Sequence, residues 1–536
     1  MAGMIVAPQP EAAEAGAQIL EVGGNAIDAA IAAAFMQGVV DPQMSGIGGF
    51  GAMQIYMPDR GFHKSLEFYA RAPLRITEDF WLAKVKRQSS DGFAYLVEDH
   101  SNEIGHLAVG TPGSLRGYEA ALKTCGTMSW ADVMAPAIEQ AKSGFMVRPH
   151  VHWYWTQDQS GDGQINTAVK LAYTETGRKV YFREDGSIKR SGDIVHNPDL
   201  AQTLEHIAQK GADDFYLGEI ADLIASDMRA HGGLIDHQDL QSYEVSWIDP
   251  LWADYRGCRI STIPPPASGA SMMQLLKIME QFDLSQIRHS SARHILILAE
   301  AMRRMTIDKE RYHSDPEVCP VPTDMLLSAQ YAQELAQSIR RGERANIERF
   351  GDEDKCRDTT HIVAVDSDGN CVSLTHTNAS PSGVITPGLG FMFNGCMSRF
   401  DPRPGRPGSL APGKRRPSSQ APTIVFRDGK PFIVIGAPGG SYIAPAVAQG
   451  IMNMIDFNMP VMDAVAAPRV IAVSNNLDIS NRVRRSVERE LVDQGYAVRR
   501  SAQSYPFAAL HAIRIENGNL TGAADPQRDG MAILVQ

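Results

Sequence analysis

From Pro10 to Leu20, small and apolar positions recur at helical spacing, and Gly23-Gly24 closes the run. Asn25 then stands where an N-cap belongs, ahead of NAIDAAIAAAF, whose alanine-rich surface predicts close helix–helix packing. Amphipathic spacing predicts further helices within 113–145 and 198–230. Pro264, Pro265 and Pro266 cannot enter a helix interior, so the next helix is expected to start near Ser271, with another over 290–312. From residue 359 the period shortens to two. HIVAVDSDGNCVSLTHT, TIVFRDGKPFIVIGAPGG and HAIRIENGNLTGAAD each predict a hairpin, turning at Asp368-Gly369, Asp428-Gly429 and Asn517-Gly518. Helices are expected again near 442–457 and 483–494. A helix-rich first two-thirds and a strand-rich last third predict an α+β fold in which helices cover a sheet or a pair of sheets. Two stretches break the pattern. SGIGGFGAMQIYM crowds Gly46, Gly48, Gly49 and Gly51 into a turn before an apolar strand; with no GK[ST] and no following helix, close backbone packing explains it better than a phosphate loop. DPRPGRPGSLAPGKRRP (401–417) is too rich in Pro and Gly for regular structure, and a loop of that length belongs at a lid or site.

Composition narrows the function classes. The 536 residues are 43% hydrophobic, enough for a large core. A net charge of −11, from 51 basic and 62 acidic residues, gives no reason to seek nucleic acid or an anionic membrane. Lys414-Arg415-Arg416 is short and local, and reads as loop or site charge. Cys125, Cys258, Cys319, Cys356, Cys371 and Cys396 are scattered without a CxxC, as reduced cytosolic thiols would be. The start, MAGMIVAPQPEAAEAG, has no signal-peptide pattern, and the apolar run Ala29–Phe35 is far too short to span a bilayer. A cytoplasmic protein is therefore expected.

No G-x-S-x-G elbow, H-E-x-x-H or local histidine spacing for a metal is present. That leaves Thr359, at the edge of a strand in RDTTHIVAV. A strand threonine is ordinary. It becomes a nucleophile if it is the first residue of a chain, because the free α-amino group, with a pKa of about 8, then serves as the adjacent base. The break would fall between Asp358 and Thr359.

A second line of argument converges on the same residue. TTHIVAVDSDGNCVSLTHT resembles the start of the small subunit in the γ-glutamyltranspeptidase family of self-cleaving N-terminal-nucleophile hydrolases. PEAAEAGAQILEVGGNAIDAAIAAAF, SGIGGFGAM, GTPGSLRGYEAAL, GLIDHQDLQSYE, DYRGCRISTIPPPASGASMMQLL, RPSSQAPTIVFRDGK and GAPGGSYI resemble family blocks in family order, from about residue 4 to about 530. The resemblance implies a four-layer αββα sandwich built from interleaved chains 1–358 and 359–536. Thr359 would be nucleophile and cleavage site, Thr377 would hydrogen-bond it, and Gly439 and Gly440 would supply the oxyanion-hole N–H groups. Ser418 and Ser419 match the serine pair that contacts the substrate carboxylate. No metal or organic cofactor is implied, and a homodimer of heterodimers is compatible with the resemblance.

The departures from the family pattern bear on substrate. Where γ-glutamyl enzymes hold the substrate's α-amino group with a Gln and an acid, this chain has Cys396-Met397-Ser398-Arg399-Phe400. The asparagine that follows the THT-like segment is shifted or lost, since the chain reads Thr377-Asn378-Ala379. The family's carboxylate-binding arginine falls at Tyr69, and Arg71 lies two residues on. Loop 401–417 lacks the aromatic gate of many members. These differences predict hydrolysis of a small amide whose acyl part carries a carboxylate but no ammonium, as in oxamate or a dicarboxylic monoamide, with Arg399 or Arg71 as the carboxylate partner. Water or an amine would take the acyl group. The alternatives are a genuine γ-glutamyl transferase or glutathione hydrolase, an idle family member serving as a binding protein, and a serine or metal hydrolase using other residues.

Overall fold

In a computed structural model, residues 2–89, 92, 94–158, 164–349 and 359–536 are described. Asp358, expected on the acyl side of the break, lies outside them, as does Cys356. Two antiparallel sheets lie face to face between layers of helix. The first sheet has the strand order Met531–Val535, Gly3–Ala7, Thr360–Val365, Cys371–Thr377, Phe50–Met57, Phe62–Phe68, Ser246–Ile248. The second runs Asn519–Ala524, His511–Glu516, Lys430–Gly436, Thr423–Arg427, Cys258–Thr262, Leu251–Tyr255. Each sheet thus contains strands from both before and after residue 359.

The period-two pattern sorts side chains between layers. Met4, Val6, Val363, Val365, Cys371, Ile424, Val434 and Ile513 meet between the sheets. Their neighbours Ile5, Ile362, Ala364, Val372 and Leu374 face outward into a core with the helices Pro10–Glu21 and Ala26–Val40. Ile433, Ile435 and Val425 face the opposite layer, built on helices Gly269–Glu280, Ala292–Tyr312 and Ile443–Ile455. A buried aliphatic side chain contributes about 1.5–3 kcal/mol, so a one-residue slip in any of these strands would forfeit several such terms at once.

Local signals set the boundaries. Asn25 caps helix Ala26–Val40 by accepting from the N–H groups of Ile27 (2.9 Å) and Asp28 (3.0 Å), and Asp28 returns the bond to the Asn25 N–H. Asp366 organises the first hairpin by accepting from Asp368 N and Asn370 N, both at 3.0 Å, and its other oxygen accepts from Ala26 N at 2.9 Å. Turn and helix start are therefore joined through one carboxylate. The glycine-rich turn is a site of close packing, as expected: a Cβ on Gly49 would lie 2.6 Å from the Thr377 carbonyl oxygen, and one on Gly51 would lie 2.5 Å from that of Thr375.

Three differences from the sequence expectations have plain causes. The 113–145 run is two helices, Ser114–Cys125 and Trp130–Ser143, because Ser129 caps a new start. The 198–230 run is three, broken at Gly211 and Gly218. The helix expected near Ser271 begins at Gly269, directly after the proline turn. Among the described residues no helix is long and apolar enough to cross a membrane.

Candidate active site

Strand register brings the two predicted threonines together. Thr360 pairs with His376, so one step further Thr359 falls opposite Thr377, the last residue of its strand. Directly opposite residues on one face have Cβ atoms about 5 Å apart. Both positions continue the face that carries His361, Val363, Ser373 and Thr375 toward the second sheet. Both are buried, Thr359 at 3% exposure. Thr377 Oγ1 also accepts from the Ala379 N–H at 2.8 Å, which fixes its rotamer where the strand ends.

A packing device sets the glycine pair against this edge. Strand Lys430–Gly436 lies on the 360–377 hairpin; Ser373 Oγ donates to the Ile435 carbonyl at 3.0 Å and accepts from Thr423 N at 3.2 Å. His361, two residues beyond Thr359, fills the space above Gly436, where a Cβ would lie 2.1 Å from its Cε1. Burial holds this imidazole well below its ordinary pKa, so it is neutral, and its Nδ1 lies 2.8 Å from Thr375 Oγ1. Three residues past Gly436 the chain turns through Gly439 (φ 140°) and Gly440 (φ 59°) into the helical segment Gly440–Tyr442 and helix Ile443–Ile455. These are left-handed conformations that favour glycine. A Cβ on Gly439 would also strike Ala508 at 2.6 Å. The result is a pair of backbone N–H groups at a helix start, the arrangement that suits a developing oxyanion.

A cleft of about 660 Å³ is lined by Ser418, Ser419, Arg399 and Arg416; Thr359, Thr377, Gly439 and Gly440 are not among the residues that line it. Its lining carries seven lysine and arginine side chains (309, 311, 349, 399, 403, 406, 416) against three carboxylates, those of Glu310, Glu348 and Asp401. Arg399 ends the short helical turn Cys396–Arg399 and is buried. Arg416 is buried too, over the ring of Phe50 at 5.0 Å. Burial, and next the charge of Arg399, pull Arg416 down to about 9. Lys309 Nζ donates to Ser419 Oγ at 3.3 Å, and Ser418 is held through its N–H to the Pro266 carbonyl at 2.7 Å.

The fold separates the three consecutive cations of Lys414-Arg415-Arg416. Lys414 Nζ donates to the carbonyls of Pro407 (2.9 Å) and Ser409 (2.8 Å), folding loop 401–417 onto itself. Arg415 is shared among Glu67 (3.1 Å), Asp315 (2.5 Å) and Glu317. Only Arg416 faces the cleft. The rest of loop 401–417 supplies Asp401, Arg403, Arg406 and Pro407 to the same lining. Tyr69 is buried beside Ser418, and burial raises its phenol far above the ordinary value. Arg71 is not among the residues that line the cleft. Its backbone pairs with Thr111 and its guanidinium lies 5.9 Å from the ring centre of Tyr243. Asn378 donates to the Pro42 carbonyl at 2.9 Å, bracing the glycine-rich turn.

The sequence analysis did not single out Arg416, nor Asn394, whose side chain donates to the carbonyls of Gly48 and Gly110 (both 2.9 Å) and so ties the Cys396–Arg399 turn to the sheet. The run Lys414-Arg415-Arg416 signalled loop or site charge without saying which of the three would reach a cleft, and Asn394 carried no signal. The one group of described side chains with metal-ligand proximity, His106, Asp227 and His231, lies in a different cleft.

A family model described as gamma-glutamyltranspeptidase matches residues 12–535. The chain is 35% identical to a glutathione hydrolase proenzyme of Pseudomonas aeruginosa, over 100% of this chain and 95% of that one. It is 34% identical to the acylase ACY 1 proenzyme of Pseudomonas sp. strain V22, over 99% and 93%. Among solved structures, cephalosporin acylase from Bacillus halodurans superimposes with a TM-score of 0.87 at 28% identity, over 99% of this chain and 95% of that one. Helicobacter pylori gamma-glutamyltranspeptidase does so at 0.55 and 34% identity, over 62% and 90%.

Proposed function

The chain is an enzyme of the gamma-glutamyltranspeptidase family, and on that premise we propose that it is a self-cleaving N-terminal-threonine amidohydrolase whose acyl substrate carries a carboxylate and no α-ammonium. The observation that carries this reading is the pair of buried guanidiniums, Arg399 and Arg416, in the cleft that also holds Ser418 and Ser419. Two like charges 4 Å apart repel by about 4 kcal/mol at an effective dielectric of 20. A substrate ammonium beside either arginine would lose on the order of a thousandfold in binding by that measure. A carboxylate gains where the ammonium loses, and guanidinium offers it a two-pronged hydrogen bond.

In this proposal the bond between Asp358 and Thr359 breaks first, leaving chains 1–358 and 359–536 interleaved. The freed α-amino group of Thr359 takes the proton from its own Oγ1 as that oxygen attacks the amide carbonyl. Thr377, across the hairpin, orients the hydroxyl. The N–H groups of Gly439 and Gly440 stabilise the tetrahedral oxyanion, an effect of about 3–4 kcal/mol per donor in comparable sites. The protonated amine then passes its proton to the leaving nitrogen. Water, activated by the same amine, hydrolyses the ester and releases the acid. An amine acceptor in place of water would give transfer.

The test compares kcat/KM on glutaryl-p-nitroanilide, γ-glutamyl-p-nitroanilide and oxamate. The proposal expects the glutaryl compound or oxamate to exceed the γ-glutamyl compound at least a hundredfold. Fast turnover of the γ-glutamyl compound alone would refute it. That outcome would support the second reading, a glutathione hydrolase, which the 35% identity to the Pseudomonas aeruginosa protein favours.

A further inference from the structure

We propose that His106, Asp227 and His231 form a binding site for one divalent transition-metal ion of the zinc type. Asp227 and His231 are four residues apart on helix Glu219–Ala230 and its C-cap, so both side chains leave the same face. His106 comes from the short turn His106–Ala108, far away in sequence. One ring nitrogen of each histidine and a carboxylate oxygen of Asp227 lie within 4.8 Å of one another. His106 Nε2 stands 3.4 Å from Asp227 Oδ2, and His231 Nδ1 stands 3.0 Å from Asp227 Oδ1. Zinc bonds of about 2.0–2.1 Å in a tetrahedron put neighbouring donors about 3.3 Å apart, close to both histidine–carboxylate spacings. The histidines meet different oxygens of Asp227, and His231 Nδ1 also lies 3.0 Å from the Asp227 carbonyl oxygen. Metal binding would turn that ring or the carboxylate to bring all three donors onto one ion.

Two further features fit a metal. Thr386 Oγ1 donates to Asp227 Oδ2 at 2.7 Å, the kind of outer hydrogen bond that holds a carboxylate ligand in place. The burial is graded: the His106 and Asp227 side chains are 4% and 7% exposed, while that of His231 is 56% exposed, so an ion has a way in. The cleft they share has a volume of about 890 Å³ and is also lined by Glu175, His196 and Asp199. It has no lining residue in common with the cleft of Ser418 and Ser419. Imidazole and carboxylate together suit zinc, nickel or copper over calcium or magnesium, which take oxygen ligands. A bound ion would join the 106–108 turn, helix Glu219–Ala230 and, through Thr386, the segment that leads from Thr377 to Arg399.

The experiment uses tag-free, full-length protein dialysed against EDTA and then titrated with Zn²⁺ alone by calorimetry, with Co²⁺ as a spectroscopic probe of coordination. The expected result is one equivalent of Zn²⁺ bound at micromolar concentration or below. A visible Co²⁺ absorption band of tetrahedral or five-coordinate type should accompany it. His231→Ala, at an exposed position, and Asp227→Asn should each weaken binding at least a hundredfold, with circular dichroism spectra unchanged. Thr359→Ala should bind as wild type does. The proposal is overturned if wild type takes up no Zn²⁺ below 100 μM, if His231→Ala binds as tightly as wild type, or if Thr359→Ala abolishes binding.

Discussion

Arg399 and Arg416 reach one cleft wall from positions seventeen residues apart, and their proximity decides which substrates suit it. Replacing either with Gln should lower kcat/KM for a glutaryl amide by about 30- to 1,000-fold, the range for losing one partner of a buried charge pair. The loss should fall mainly on KM, since neither side chain is placed to touch the scissile bond; a purely structural defect would lower kcat and thermal stability together. Thr359→Ala should give a single uncut chain with no turnover, checked on a denaturing gel. The two arginines were unequally legible. Arg399 stood out because an acid is expected at its position in Cys396-Met397-Ser398-Arg399-Phe400. Arg416 was hidden in a run of three cations whose fates diverge only when neighbouring side chains leave the backbone in different directions: Lys414 to carbonyls, Arg415 to the carboxylates of Glu67, Asp315 and Glu317, Arg416 to the cleft.

Among the elements, the contact between strand Lys430–Gly436 and the hairpin of Thr359 sets the distance from nucleophile to glycine turn. Gly436→Ala should force His361 aside, costing about 1–3 kcal/mol as overpacking does, and should reduce kcat well beyond that loss of stability would explain. A thermal melt and a kcat measurement on the same preparation separate the two effects. Glu103 and Lys170 form a second support. They are paired at 2.8 Å and buried, and Lys170 also reaches Ser380 just after the site hairpin. Burial alone would raise the Glu103 carboxyl, but Lys170 and its hydrogen bonds hold it down to about 2. A depressed carboxylate stabilises the fold above its unfolded pKa, so on the order of 3 kcal/mol should drain away as pH falls from about 4.5 toward 2. Glu103→Gln should be less stable at pH 7 and should flatten that part of the melting profile. Hairpins were the most legible elements, because Asp-Gly and Asn-Gly turns act within four residues. Helix breaks at Gly211 and Gly218 were not, since amphipathic spacing runs on across them. The strand pair Leu251–Tyr255 and Cys258–Thr262 also escaped notice, its polar residues masking the alternation around Arg256-Gly257.

Across the whole molecule, both sheets combine strands from the two sides of residue 359, so a break there would leave neither part able to complete a sheet alone. The sequence conveyed this layered plan through period-two strands and family blocks. It could not convey groupings such as His106 with Asp227, 121 residues apart, which exist only once the chain is folded. Intact-mass spectrometry of the purified protein, before and after mixing with a glutaryl amide, tests the central claim most directly. The account predicts two polypeptides, the smaller beginning at Thr359, with that smaller one transiently gaining the mass of the glutaryl group and gaining nothing from the γ-glutamyl analogue. A single uncut chain, or acylation by the γ-glutamyl compound in place of the glutaryl one, would contradict it.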